Sequence, residues 1–232
     1  MTLSASEQYL IELINQDRLD PATAARGQGI GLNSGITKDL DRDDGFLQST
    51  PMQVLAPNVQ LEEAAEAQSS YLLTSGVTRL IHIGEGGSTI RDRVADANYE
   101  NPLTFRENLA VVWGGLSDLE GVVNRHHDEL YKSPSHRAAI FDESQSDIGI
   151  NMQEGSFRGN AASMLTELFG AQVGGRYVTG VTYTDADRDD FYSIGEGQSG
   201  LQFSTDGAQT RSASAGGYAL AAKSYARKLV TA

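Results

Sequence analysis

The sequence SPSHR at residues 133–137 marks the start of a new helix in the middle of the chain. Ser133 is suited to cap a helix, and Pro134 stands where a missing backbone N–H has no cost. Upstream, the apolar residues of segment 117–130 recur at helical spacing. Downstream of Phe141, the period changes to the alternation typical of strands. Helices early in the chain followed by strands predict an α+β fold.

Three more helices are predicted nearer the N-terminus. Ser4 and Glu7 have the spacing of a capping box ahead of the first helix. Asn58 caps the second helix and Ser88 opens a shorter third one. The segment 22–57 is rich in Gly, Asn, Asp and Pro without a sustained period, which predicts a mostly irregular connection.

Alternating apolar residues predict strands in the second half of the chain. Residues 148–152 and 163–169 give the first two strands. Segments 177–183 and 201–204 follow, separated by acidic and Gly-rich turns. The later strands form a group of their own, which predicts a small β-rich appendage at the C-terminus.

These patterns divide the chain into a main domain over residues 1–175 and a β-rich module over residues 176–232. So few strands rarely fold alone. The module is therefore expected either to pack on the main domain or to be part of a longer natural chain, and the sequence favours the second alternative.

Charge and composition narrow the classes of partner. The chain has 31 acidic and 18 basic residues, and its formal net charge of -13 repels phosphate backbones, so no nucleic-acid partner is expected. It has no cysteine, which excludes disulfides and thiolate metal sites. No apolar run is long enough to span a bilayer, so membrane insertion is not expected. The sequence gives no indication of an oligomeric state.

Seven short stretches occur in the order found in one protein family. In chain order they are LINQDR (13–18), LEEAA (61–65), HIGEGGS (82–88), RENLA (106–110), SPSHR (133–137), DIGI (147–150) and LFG (168–170). Together they resemble bacterial members of the CAP superfamily, the cysteine-rich secretory protein or SCP-like proteins. The resemblance runs from about Ser6 to Gly170. It implies a three-layer α-β-α sandwich for that region.

The resemblance also implies a candidate metal site. Metal-binding members use two histidines and two acidic residues on the floor of a central cleft, and His82 and Glu107 match one of each. Met164 stands where the second histidine would be, and the second acid falls near Ser133. Two ligands give zinc little affinity, so one of two further histidines would have to supply a third. The candidate cleft residues are therefore His82, Glu107, His127, Ser133 and His136.

Each of these residues also has an interpretation without metal. His82 can donate a hydrogen bond to Glu107 and so hold two loops together. Glu107 can equally be a buried carboxylate held by backbone N–H groups. His136 can orient the first turn of its helix. His126 and His127 are neighbours and point to different faces of a helix, so at most one is expected to face inward.

A weak metal-dependent hydrolase that uses His82 and Glu107 is the alternative to a binding role. With Ser133 these residues would form a Ser–His–acid trio, but neither a nucleophile elbow nor an HExxH helix is present. The Gly-rich segment 84–89 lacks lysine and carries an acid where phosphate would lie, which indicates a tight turn. The sequence therefore favours a protein without catalytic residues.

The acidic segment DADRDDFYSIGE at 185–196 is the most specific local motif. Acids occupy positions one, three, five and twelve of a calcium loop, and a serine occupies position nine. Asp190 replaces the usual glycine at position six, where aspartate tolerates a left-handed backbone better than most residues. The alternative is a solvated acidic turn. The predicted calcium ligands are Asp185, Asp187, Asp189, Ser193 and Glu196, with an affinity of about 0.1 to 1 mM.

The resemblance and the acidic loop together predict a secreted, extracellular bacterial protein. Because strands rather than helices flank the acidic loop, it resembles the calcium-binding turns of bacterial surface β-sandwich repeats more than a true EF-hand. The first hypothesis is an extracellular binding module whose cleft accepts an apolar, lipid, sterol-like or cell-wall glycan ligand, with a calcium-ordered tail as spacer. Family members that bind lipids or sterols imply this ligand class. A purely structural role at the cell surface is a further alternative.

Overall fold

The computed structural model describes residues 3–37, 46–205 and 207–222. Its helices are α1 (Ala5–Leu19), α2 (Pro21–Gly27), α3 (Val59–Thr74), α4 (Ile90–Asp96), α5 (Leu119–Lys132) and α6 (Pro134–Ile140). The strands are β1 (Ala56–Pro57), β2 (Pro102–Trp113), β3 (Asp147–Phe157), β4 (Asn160–Gln172), β5 (Tyr177–Val181), β6 (Gln202–Thr205), β7 (Ala208–Arg211) and β8 (Gly217–Ala221). None of the helices in these ranges combines the length and apolarity needed to cross a membrane.

A mixed four-stranded sheet forms the centre of the molecule, in the order β1-β3-β4-β2. β4 pairs antiparallel with both β2 and β3, and the short β1 pairs parallel with β3. The long hairpin β3–β4 therefore supplies the two central strands, with β2 at one edge and β1 at the other.

The side chains of β4 show how the sheet is covered on both faces. Leu165 and Phe169 lie in one apolar cluster with residues of α1, α5 and α6. Met164 and Leu168 point to the opposite face, where clusters with residues of α3 form. Because successive strand residues face opposite sides, this alternation requires helices above and below the sheet. The predicted three-layer α-β-α sandwich is confirmed.

Most predicted helix starts are confirmed, and two are shifted by one residue. The capping box ahead of α1 is present, and the Asn58 side chain caps α3. Thr89 caps α4 where Ser88 was predicted, and Asp118 caps α5, whose predicted segment begins at residue 117. In both cases the side chain that accepts the N–H three residues ahead decides the start.

Five elements were not predicted, namely α2, β1, β2, β7 and β8. The helix α2 follows α1 directly, within the segment that was predicted to be irregular. Asp20 and Pro21 end α1 and also start α2, where the Asp20 carboxylate accepts the N–H of Thr23 at 3.0 Å. The strand β2 contains the buried run 107–112, which is covered on both faces and so shows no alternation.

The C-terminal strands pack on the main domain. β5 pairs with β8 and β6 with β7, and β5 and β8 contact β1. The ring of Phe191 lies edge-on to Tyr9 of α1 with centroids 6.0 Å apart. The backbone N–H of Ile194 donates to Glu120 of α5 at 3.1 Å. The division into domains at residue 175 stays a prediction.

Candidate functional site

The two residues predicted at the cleft floor, His82 and Glu107, are in contact. His82 Nδ1 lies 2.8 Å from Glu107 Oε1, and Arg93 of α4 donates from Nη2 to Glu107 Oε2. The Glu107 side chain is 0% exposed and that of Arg93 4%, whereas the His82 side chain is 52% exposed. Both carboxylate oxygens are thus engaged, and Nε2 is the ring nitrogen of His82 that remains for a ligand.

Arg93 also fixes the loop that carries His82. Its Nη1 donates to the carbonyl oxygens of His82 and Ser88, each at 3.3 Å. One guanidinium therefore joins the loop, α4 and β2, and it supplies the positive charge that a buried carboxylate needs. Arg93 was not predicted as part of the site, although it lies only five residues after the HIGEGGS segment that contains His82.

His136 and Ser133 lie at the start of α6. Asn108 of β2 donates to the carbonyl oxygen of His136 at 3.2 Å. Burial lowers the pKa of the His136 imidazole, and the nearby His82 lowers it further. Ser133 takes the cap position of α6, but its side chain makes no capping hydrogen bond. These features place His136 near His82 and favour its neutral form.

His127 lies away from His82, beside α1. Its Nε2 is 2.9 Å from Asp17 Oδ2, and its ring lies edge-on to Tyr131 with centroids 6.1 Å apart. It packs beside α1, whereas Glu107 lies on β2 next to α4. No described contact joins His127 to the His82–Glu107 pair.

The prediction that at most one of His126 and His127 faces inward is wrong. His126 is 0% and His127 5% exposed. α5 packs against both β2 of the sheet and the neighbouring α1, so two adjacent faces of the helix are covered. His126 Nε2 lies 2.9 Å from Ser163 Oγ, and burial lowers the pKa of His126 to about 3, so its imidazole is neutral.

A second buried carboxylate, Glu167 of β4, was not predicted as a site residue. Asn108 Nδ2 donates to Glu167 Oε2 at 3.0 Å. Burial raises the pKa of Glu167 to about 7, while the hydrogen bond from Asn108 and the charge of His127 oppose the rise. The sequence signal is an acid inside a strand whose other residues carry no charge.

Two buried arginines of the sequence motifs, Arg18 and Arg137, stabilise the fold. Arg18 is 0% exposed and donates to backbone carbonyls, as does the equally buried Arg137. Desolvation lowers the pKa of Arg18 to about 10. The carbonyl oxygens bonded by Arg18 belong to Gln53, Ile140, Asp142 and Gln145, and those bonded by Arg137 to Leu32, Ser34, Tyr131 and Lys132. The arginines therefore satisfy buried backbone groups and contact neither His82 nor Glu107.

The acidic loop 185–196 folds so that its carboxylates converge. Oxygen atoms of Asp185, Asp187 and Asp189 all lie within 4.8 Å of one another, a group that could bind a metal ion. Ser193 Oγ donates to Asp187 Oδ2 at 3.0 Å. Glu196 accepts the N–H of Ser193 at 3.0 Å. All five predicted ligand residues are thus linked in one turn.

Backbone conformation in the loop agrees with the prediction for its sixth position. Asp190 has φ 62° and Arg188 has φ 66°, both in the left-handed region. Aspartate adopts this conformation more readily than most side chains. Asp190 therefore takes the turn that glycine makes in the usual loop.

Comparison with known families identifies the chain. The sequence profile of the Cysteine-rich secretory protein family, CAP, matches residues 11–169. The chain belongs to this family, as the seven motifs predicted, although it contains no cysteine. The matched region ends within β4 and does not include the C-terminal module.

Two solved structures are similar to parts of the chain. An outer surface protein from Borrelia burgdorferi is 24% identical with a TM-score of 0.38, over 52% of this chain and 80% of that protein. An extracellular protein containing a SCP domain from Bacillus anthracis str. Ames is 18% identical with a TM-score of 0.39, over 52% of this chain and 35% of that one. No curated protein matches the sequence.

Proposed function

We propose that this CAP protein is a secreted, extracellular binding protein without catalytic activity. Its ligand is a lipid, a sterol-like molecule or a cell-wall glycan, and it occupies the cleft around His82. The C-terminal acidic loop binds calcium and orders the tail. The observation that supports the binding role is that both carboxylate oxygens of Glu107 already have partners, His82 at Oε1 and Arg93 at Oε2.

A zinc ion at Glu107 would have to displace a buried arginine. Arg93 is almost wholly removed from water, and removing its partner leaves an uncompensated buried charge. His82 is then the only matched residue of the metal tetrad that remains free. Ile83, next to His82, is 46% exposed and offers an apolar contact at the same place. These features favour recognition of a ligand over metal-dependent hydrolysis.

The hydrolase remains the second candidate because of one observation. The Glu107 carboxylate holds Nδ1 of His82, which fixes the ring and leaves Nε2 on an imidazole that is 52% exposed. A carboxylate behind a histidine orients it as a general base or a metal ligand. His136, close to His82, is the candidate for a further ligand.

Calcium binding is supported by the charge of the acidic loop. Residues 185–196 carry five carboxylates and a single arginine. The oxygen atoms that converge there are the ligands that calcium prefers. A bound Ca²⁺ would neutralise the repulsion between Asp185, Asp187 and Asp189 and tie Ser193 and Glu196 to them.

One metal-loading experiment separates these roles. Metal-free protein is exposed to calcium and zinc together and desalted at a low free concentration of both, and bound metal per chain is measured. We expect one retained calcium that is lost in Asp185→Ala, and no zinc. Zinc that is retained by the wild type and lost in His82→Ala would instead support the hydrolase.

The ligand class is tested by co-sedimentation with lipid vesicles, sterol-containing vesicles and insoluble cell-wall glycan. We expect the wild-type protein to bind one of these and Ile83→Asp to lose the binding. The matched control is Leu201→Asp, since Leu201 is an equally exposed leucine of the tail at 46%. Equal loss in both variants, or no binding of any fraction, would contradict a ligand site at His82.

A further inference from the structure

A separate groove lies between α1, α2, α5 and the C-terminal module. Its volume is about 820 Å³. Part of its wall is apolar, and Phe191 of the acidic loop closes one side. The apolar lining residues are Leu13, Leu19, Ala24, Val54 and Phe191. A groove of this size and composition fits a small ligand with an aliphatic part.

The charged residues that line the groove are all acidic apart from one histidine. They include four carboxylates and His127, and no lysine or arginine. Two of the carboxylates already have hydrogen-bond partners. Asp20 accepts a hydrogen bond from Thr23, and Asp128 accepts hydrogen bonds from Gln28 and Lys132. Glu12 and Asp17 are left without a lysine or arginine partner among the described residues.

Glu12 and Asp17 lie one turn and a half apart on α1, and both are largely buried. Glu12 accepts a hydrogen bond from Gln8 at 2.7 Å, and burial raises the pKa of its carboxyl to about 7. The Asp17 side chain is 13% exposed, and its Oδ2 lies 2.9 Å from His127 Nε2. Carboxylates removed from water in this way favour a cation beside them.

Unpartnered polar atoms surround Asp17 on its buried side. His127 Nδ1, Tyr131 Oη and Glu167 Oε1 are buried and have no hydrogen-bond partner among the described residues. His127 contacts Asp17 and the Tyr131 ring, and its charge acts on Glu167. Asp17 Oδ2 lies 2.9 Å from His127 Nε2, yet it is also buried without a hydrogen-bond partner among the described residues. A carboxylate oxygen such as Asp17 Oδ2 can only accept hydrogen bonds, and an ammonium group carries three donors and no acceptor.

We propose that this groove binds a small aliphatic amine. Its ammonium group contacts Asp17 and Glu12, and its chain packs on Leu13 and Phe191. The site is distinct from the cleft around His82, and it does not depend on the ligand proposed there. Nor does it require an ion in the acidic loop.

The amine site is tested with n-hexylamine as the probe, by calorimetry on the full chain. Two probes of the same chain length, n-hexanol and hexanoate, separate the charge from the apolar chain. For so small a molecule we expect a Kd of about 1 mM for hexylamine. Hexanol and hexanoate should bind at least about tenfold more weakly. Hexanol binding as tightly as hexylamine, or no hexylamine binding, would overturn the proposal.

Variants locate the site. Asp17→Asn and Glu12→Gln should each weaken hexylamine binding by about tenfold, which corresponds to about 1.4 kcal/mol. Gly27→Leu places a side chain in the groove at a position where no atom lies within 4 Å of a Cβ, and it should abolish binding even if Asp17→Asn misfolds. The control Glu154→Gln removes an exposed carboxylate of β3 and should bind like the wild type. Unchanged binding in Gly27→Leu would place the amine elsewhere.

Discussion

Arg93 and Glu107 form an ion pair that is almost wholly removed from water, with side-chain exposures of 4% and 0%. The pair lies directly behind His82, the matched histidine of the cleft. Each partner depends on the other, because an isolated charge at either position would be buried without compensation. The pair therefore links the stability of the fold to the shape of the candidate site.

Removing Arg93 should strongly destabilise the protein. We expect Arg93→Ala to lower the free energy of unfolding by about 3 to 5 kcal/mol, because Glu107 is left buried and unpaired. Urea denaturation measures the change. The control is Lys132→Ala, whose pair with Asp128 is about half exposed and should contribute less than about 1 kcal/mol. Similar small losses in both variants would show that water reaches Glu107.

Gly149 marks the closest approach of α3 to the sheet. A Cβ there would lie 2.1 Å from the backbone carbon of Leu61, so Gly149→Ala must push α3 away from β3. We expect a loss of about 1 to 3 kcal/mol or more, measured by thermal and urea unfolding. Gly27→Ala is the matched control, since no atom lies within 4 Å of its Cβ. Tolerance of both substitutions would contradict the close packing of α3.

Three buried carboxylates predict an unusual dependence of stability on pH. Burial raises the pKa of Glu12, Glu62 and Glu167 from 4.5 to about 7. The folded state therefore binds protons more tightly than the unfolded state between these values, and stability falls as pH rises from about 4.5 to 7. Unfolding should require more urea at pH 5 than at pH 7.5.

Glu167→Gln tests the origin of this dependence. Glutamine keeps an oxygen to accept from Asn108 and removes the titration, so the loss of stability between pH 5 and pH 7.5 should become smaller. Burial raises the pKa of Asp142, but hydrogen bonds from Ser144 outweigh this and lower it, so Asp142 acts below this window. Burial lowers the pKa of His126 from 6.5 to about 3, so its contribution to stability increases with pH within the window, but one histidine offsets only part of the effect of three carboxylates. A pH profile identical to that of the wild type would exclude Glu167 as a source.

The backbone conformation at Asp190 predicts that a glycine at this position would tighten calcium binding by the acidic loop. Asp190 is held at φ 62°, a conformation that costs a side chain with a Cβ about 1 kcal/mol. Asp190→Gly should therefore tighten calcium binding several-fold, measured by calorimetry. Asp190→Asn removes the same charge but keeps the Cβ, and it should not gain affinity. Equal effects in the two variants would attribute the change to charge instead of backbone strain.

The sequence by itself determined the features that depend on neighbouring residues. The cap at Asn58 and the proline that starts α6 each rest on contacts within a few residues. The left-handed turn at Asp190 is local as well. Seven ordered motifs were enough to place the chain in its family: six of them lie on helices or strands of the sandwich, and HIGEGGS lies in the loop ahead of α4.

Only the tertiary structure decided which charges are removed from water and what they meet. Nothing near Glu107 in the sequence indicates that Arg93 rather than a metal faces it, or that His126 and His127 are both buried. The groove behind Asp17 likewise forms only when α1, α2, α5 and the tail come together. The physical reason is that desolvation and pairing of charges depend on packing between elements distant in the chain, whereas caps and turns form within one element.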